Sequence, residues 1–248
     1  MSSELVMRNA ANGANMRKRT DQAPNFGPTI ITFLVGPEGA QSTFLVHENL
    51  IRQHSKFVEA ISRNDWKEKD SRVIHLPEHD EEHFRIFFDY IYSHYIFSSK
   101  PDDCLSGKSQ EDKEWDRLAY CWALGAYLQA TSFQNAVTDS IVEKALSVQG
   151  QQPLQTIHKI IYPHSQAGSG VRKLLVDIAT HGWSTEFLKE QSMGMEWAEF
   201  FFDLSVAMHA HKGRNLDTPM YRMSRNCYYH LHEYSFGNAT CYNSSQGK

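Results

Sequence analysis

Cysteine is scarce in this chain: Cys104, Cys121, Cys227 and Cys241 are the four present in 248 residues. They lie far apart and no two make a C-x-x-C pair, which excludes a disulfide framework as the main staple and suits a reducing compartment. Long apolar runs are missing as well. No stretch approaches the roughly 18–20 consecutive apolar residues of a membrane-spanning helix, and the opening MSSELVMRNAANGANMRKRT has no apolar segment of the kind a secretory signal needs. The glycosylation sequons Asn238-Ala239-Thr240 and Asn243-Ser244-Ser245 are therefore discounted. Nor is there an excess of positive charge. Lys and Arg number 25 against 29 Asp and Glu, a formal net charge of −4, so neither nucleic acid nor an anionic membrane is expected as a direct partner. Arg17-Lys18-Arg19 reads as solvated cations of a polar arm more readily than as a nuclear signal.

The motifs of common catalysts are also absent. There is no G-x-S-x-G elbow, no G-x-x-x-x-G-K-S/T loop and no G-x-G-x-x-G fingerprint. Gly168-Ser169-Gly170 precedes a helical pattern but lacks the rest of a phosphate motif, and a flexible linker is the better reading. His79-Asp80-Glu81-Glu82-His83 resembles a zinc-protease H-E-x-x-H only superficially. Asp80 is the expected helix N-cap, which leaves His79 outside the helix, whereas two ligands on one face need both histidines inside it. No cofactor is expected, and the chain does not read as an enzyme.

What is present is ample material for a core: 41% of the residues are hydrophobic and 12% aromatic. Residues 1–28 form a polar arm. Thr29–Val35 and Ser42–Val46 are β-branched, apolar runs about the turn Gly36-Pro37-Glu38-Gly39, a hairpin pattern. Leu50, Ile51, Phe57, Val58 and Ile61 then follow a helical period that Ser55 divides into one helix or two. Arg63–Ser71 is a charged loop holding the large aromatic Trp66, and Arg72–Pro77 is a short strand.

From Asp80, with Glu81 and Glu82 in the first turn, the stripe Phe84, Phe87, Phe88, Ile91 and Tyr92 predicts a strongly amphipathic helix. A polar insertion covers 98–113. Helices are predicted over about 115–129 and 132–148, and after a boundary near 150 over 154–162, 171–180 and 198–209. The organisation expected is an arm over 1–28, a domain over 29–149, a helical C-terminal extension over 150–212 and a mostly irregular tail over 213–248.

Phe44–Val58 (FLVHENLIRQHSKFV) resembles the BTB/POZ signature, in which a strand ending in Val-His is followed by Leu and then Ser-x-x-Phe. Val73-Ile74-His75-Leu76-Pro77 is similar to that family's middle strand, and Phe84–Tyr92 to its amphipathic helix. Leu124-Gly125-Ala126-Tyr127-Leu128 with Phe133-Gln134-Asn135-Ala136 resembles its closing helical pair. Three departures stand out: Val58 stands where the signature has its Phe after Ser-x-x, Tyr92-Ser93-His94 replaces a Tyr-Thr-Gly turn, and the N-terminal dimerisation helix has no clear counterpart in 1–28. With its insertion and helical extension the chain is most similar to short fungal BTB proteins.

The resemblance implies an α+β BTB/POZ fold, a small sheet with a cluster of helices, followed by an all-helical extension. It implies a protein–protein interaction module, homodimeric in many relatives, and a cytoplasmic or nuclear location. Relatives that recruit cullin-3 carry an apolar-x-Glu motif before the middle strand, which Trp66-Lys67-Glu68 matches. Trp66 and Glu68 are thus the expected partner-binding residues of a cullin-3 ubiquitin-ligase substrate adaptor, unless Trp66 folds back as a cap. The alternative is a self-associating scaffold or transcriptional co-regulator without cullin binding. A further alternative, a zinc-dependent hydrolase, rests on Cys227, His230 and His232, whose C-x-x-H-x-H spacing with His209 and His211 upstream offers soft and borderline ligands.

Overall fold

The computed structural model describes residues 19, 21, 23, 25–63, 72–101, 113–147, 157–184, 189, 194, 197–211, 227–235 and 238–240, with backbone only for 63, 211, 233–235 and 238–240. Strand β1 (Ile30–Val35) pairs antiparallel with β2 (Ser42–His47), from Ile30 opposite His47 to Val35 opposite Ser42. The hairpin turns at Gly36 and Gly39, both with positive φ. Strand β3 (Val73–Leu76) joins the other side of β1 in parallel, giving the order β2-β1-β3. Alternation is clean: Ile31, Phe33 and Val35 of β1 and Phe44 and Val46 of β2 point inward.

Helices α1 (Glu48–His54) and α2 (Lys56–Arg63) divide at Ser55. The Ser55 hydroxyl accepts from the Val58 N–H at 3.2 Å, capping α2, and donates to the Leu128 carbonyl at 2.7 Å. This one buried side chain explains why a serine precedes the Phe57 pair: it starts one helix and satisfies the end of another. Helix α3 (Glu81–Ser93) begins at Asp80, whose carboxylate accepts from the Glu82 N–H at 2.7 Å. Phe84, Ile86, Phe87, Tyr90 and Ile91 are its buried stripe.

Helices α4 (Lys113–Tyr127) and α5 (Thr131–Ser147) form an antiparallel hairpin. Its close approach needs Gly125, where a Cβ would lie 2.7 Å from Gln134 Cγ. The extension consists of α6 (Ile157–Ile161), a 3₁₀ turn over Tyr162–His164, α7 (Gly170–Gly182) and α8 (Ala198–His211). Pro163 sits inside the 3₁₀ turn, which separates α6 from α7 and where its missing N–H costs nothing. Helix α6 lies along α4, and α7 touches α5, α6 and α8. One apolar core accordingly runs from Phe33 and Phe84 through Trp115 and Phe133 to Leu174, Trp197 and Phe200.

Two stretches differ from expectation. Phe26 belongs to the arm, yet its ring lies 5.3 Å from His47 and 5.9 Å from Tyr92 and packs on the core. Past 212, where an irregular tail was expected, Cys227–Tyr229 is a 3₁₀ turn and β4 (Glu233–Ser235) pairs antiparallel with β5 (Asn238–Thr240). Among the described residues no helix is long and apolar enough to cross a membrane.

Candidate protein-interaction surface

Residues 64–71, and with them Trp66 and Glu68, lie outside the described residues. Their two anchors are defined. Arg63 ends α2, and Arg72, at φ 50°, offers its carbonyl to the Thr32 N–H at 2.8 Å before β3 begins. The loop therefore springs from the edge of the sheet next to an exposed helix.

Aromatic side chains gather on the elements this loop connects. Phe57 of α2 lies 5.3 Å from the Tyr127 ring at the end of α4, and His79, just after β3, lies 4.5 Å from the same ring. One helical heptad earlier, Tyr120 stacks on His83 at 4.9 Å. Tyr120 and Tyr127 are each 48% exposed, unusual for side chains of this size. Burial lowers the pKa of His79, against the pull of Glu78. Burial also lowers that of His83, outweighing Asp80 and Glu82. The face that both imidazoles share with the tyrosines is largely aromatic, with the Glu78 and Asp80 carboxylates at its edge. Sequence reasoning singled out neither tyrosine as a contact, because α4 positions 120 and 127 fall between residues of its buried stripe. The heptad spacing of two tyrosines was the available signal.

A charged rim lies beside this face. Burial pushes the Glu82 carboxyl up, but hydrogen bonds from Lys100 (2.5 Å) and from Arg117 (2.6 Å) outweigh it and hold the carboxyl below the ordinary range. Arg117, itself buried, also donates to the Ser98 carbonyl. Asp80, Glu82 and His83 are, among the described residues, the one trio whose ligand atoms all lie within 4.8 Å of each other. Two of the three are committed: Asp80 caps α3 and Glu82 holds two cations.

Cys227, His230 and His232 stand in a different arrangement. The His230 ring donates through Nε2 to Asp139 at 2.7 Å, and the His232 Nε2 meets the Cys227 carbonyl, not its sulfur, at 3.1 Å. Cys227 is a free thiol. The imidazoles are thus used as hydrogen-bonding groups. His209 lies on α8, exposed. His47 has both its backbone N–H (3.3 Å) and its Nδ1 (2.9 Å) on the Tyr92 hydroxyl. Gly170 is not a linker residue. It opens α7, and a Cβ there would collide with the Tyr229 backbone carbonyl.

The three-stranded sheet, the α1/α2 pair, the capped amphipathic helix and the α4/α5 hairpin make up an α+β arrangement with a known counterpart. No curated protein matches the chain. Residues 31–145 match the model of the BTB/POZ domain. That family consists of protein–protein interaction modules, and the α+β fold of residues 31–145 is consistent with a BTB/POZ fold, continued by a helical extension.

Proposed function

We propose that the chain is a substrate adaptor for a cullin-3 ubiquitin ligase. In this reading Trp66 anchors in an apolar pocket of the cullin, Glu68 pairs with a basic side chain, and the Phe57–His79–Tyr127 and His83–Tyr120 contacts extend the footprint. The helical extension, taken as 150–212, presents the protein to be modified. The observation that carries the reading is the face of half-exposed tyrosines, Tyr120 and Tyr127, that Phe57 and His79 bring beside the elements flanking the Trp66 loop. Aromatic anchors in an otherwise polar surface dominate interface energies. Arg63, the last described residue before the loop, follows Phe57 by six helical residues, roughly 9 Å, well within the reach of a partner burying about 800 Å² on each side.

A second reading, a self-associating scaffold or co-regulator without cullin affinity, is favoured by one feature. Leu45 is 59% exposed on β2, an outer strand of the sheet. Titration calorimetry of the full chain with the cullin-3 N-terminal domain separates the two. Binding at micromolar strength or tighter, lost in a folded Trp66→Ala/Glu68→Ala variant, is the expected outcome. A folded wild-type chain that gives no heat ends the adaptor reading, and concentration-dependent sedimentation of the chain alone would then favour the scaffold.

A further inference from the structure

Residues 227–232 lie across α5 and α7 in the manner of a bound peptide. Asn135, 2% exposed, grips the backbone of Leu231 twice: its Oδ1 accepts from the Leu231 N–H at 2.7 Å and its Nδ2 donates to the Leu231 carbonyl at 2.9 Å. Such a two-point amide contact reads main chain and tolerates a range of side chains at that position. The Tyr229 hydroxyl donates to Asp177 at 2.6 Å, and the His230 ring donates to Asp139 at 2.7 Å. Lys173 lies over the Tyr228 ring at 5.7 Å. The missing side chain of Gly170 makes room for the Tyr229 main chain.

We infer that the α5/α7 groove is a peptide-recognition site, and that the chain's own Tyr229-His230-Leu231 occupies it as a tethered ligand. Three features point to a ligand more than to an ordinary core segment. Recognition is largely polar: one carboxylate for a hydroxyl, one for an imidazole, one amide for the backbone. Within Cys227–His232 the apolar anchors alternate: Tyr229 is 4% exposed and Leu231 packs half-buried on the core, while Tyr228 is 46% exposed. Residues 212–226 separate the segment from α8 in the sequence.

The two aspartates and Asn135 set the chemistry of an exchanging partner: a peptide bearing a tyrosine hydroxyl, then an imidazole or other hydrogen-donating group, then a residue held by its main chain. A phosphorylated tyrosine would bring a dianion against Asp177 and be rejected. The groove is distinct from the Trp66 surface, and its occupancy does not depend on cullin binding.

The test uses the full-length chain and a fluorescent peptide spanning residues 226–233 with serine at the position of Cys227. The tethered segment competes at the high effective concentration of an intramolecular ligand, so the wild-type chain should bind the peptide weakly. A Tyr229→Ala/His230→Ala chain, its own ligand disabled, should bind roughly tenfold tighter or more by fluorescence anisotropy. Adding Asn135→Ala or Gly170→Ala should abolish that gain, and the tyrosine-phosphorylated peptide should fail to bind. A folded Tyr229→Ala/His230→Ala chain that binds no tighter than wild type overturns the inference, as does a gain that survives Gly170→Ala.

A second readout requires no variant. Excess peptide should displace the segment in the wild-type chain and speed alkylation of Cys227, followed site by site by mass spectrometry. If the Tyr229→Ala/His230→Ala chain does not fold and Cys227 alkylation is also unchanged by peptide, the segment is a fixed part of the structure and the inference is overturned.

Discussion

The sheet side of the molecule and the helical extension are built on different principles although they share one core. Around the sheet the contacts are hydrocarbon on hydrocarbon. Phe84 lies 5.0 Å from Phe33, 4.8 Å from Phe44 and 5.8 Å from Phe87, and Phe87 in turn lies 5.0 Å from Phe133. In the extension the same kind of rings are interleaved with polar groups. Arg172, 6% exposed, stacks on Tyr162 at 4.2 Å while donating to the carbonyls of Tyr162 and Ser165. His158 lies 3.7 Å from Trp197, and His230 reaches Asp139. Apolar packing is non-directional and tolerates little loss of volume. A hydrogen-bonded seam fixes one geometry, and its groups can be rehydrated when it opens. The contrast suits a rigid interaction domain carrying an attachment that can exchange its contacts.

The largest effect should come from the apolar side. Phe84→Ala removes a fully buried ring and should cost about 3–5 kcal/mol. Because the core is continuous, urea unfolding followed by hydrogen exchange should show β1, α3 and α7 losing protection together. Loss confined to α3 would mean that the two regions are separate cooperative units. Arg172→Met keeps the stacking volume but removes charged hydrogen bonds to Tyr162, Ser165 and Glu199. Glu199 is largely exposed and rehydrates freely, so the ion pair itself adds little. The cost should be about 2 kcal/mol, with exchange quickening first in 157–182 and leaving the β1–β2 ladder protected. Equal quickening of the ladder would erase the distinction between the regions.

The same division decides what could be read in the sequence. The hairpin, the break at Ser55, the Asp80 cap and the Phe84–Tyr92 stripe were all legible because each is a local pattern of period 2 or 3.6 or a capping preference. The polar seam was not. Gln134, Asn135 and Thr138 of α5 are buried beside Phe133 and Val137, so this helix is covered nearly all round and its polar residues mimic a solvent face. Asn135 finds its partner in Leu231, 96 residues on, and no periodicity carries that information. Phe26 was hidden for a related reason: one apolar residue in a polar arm has no pattern to belong to. His94 and Gln129 end α3 and α4 in the left-handed region, at φ 61° and 50°, where glycine would have marked the stop. The candidate interaction face was half visible. Trp66 and Glu68 stand out as a motif, whereas Tyr120 and Tyr127 become a surface only when His79, His83 and Phe57 are brought to them by the fold.

Acid offers a finer probe of the two regions, because their histidines are held differently. His54, at the end of α1, lies 5.6 Å from the His94 ring and 5.9 Å from Tyr90. Burial, helped by the neighbouring His94, lowers its pKa from 6.5 to about 4. The folded chain thus resists a proton that the unfolded chain accepts near pH 6.5. The contribution is complete above that value and drains away as the pH falls toward 4, by about 2 kcal/mol at pH 5. His79 and His83, also lowered, act in the same direction. Urea midpoints measured at pH 7 and pH 5 should therefore fall for the wild-type chain and fall less for His54→Gln. Mild acid should thus loosen the α1–α3 contact, whereas Arg172→Met loosens the extension first. Equal slopes for wild type and His54→Gln would show that the buried imidazole near His94 takes up its proton without cost to the fold.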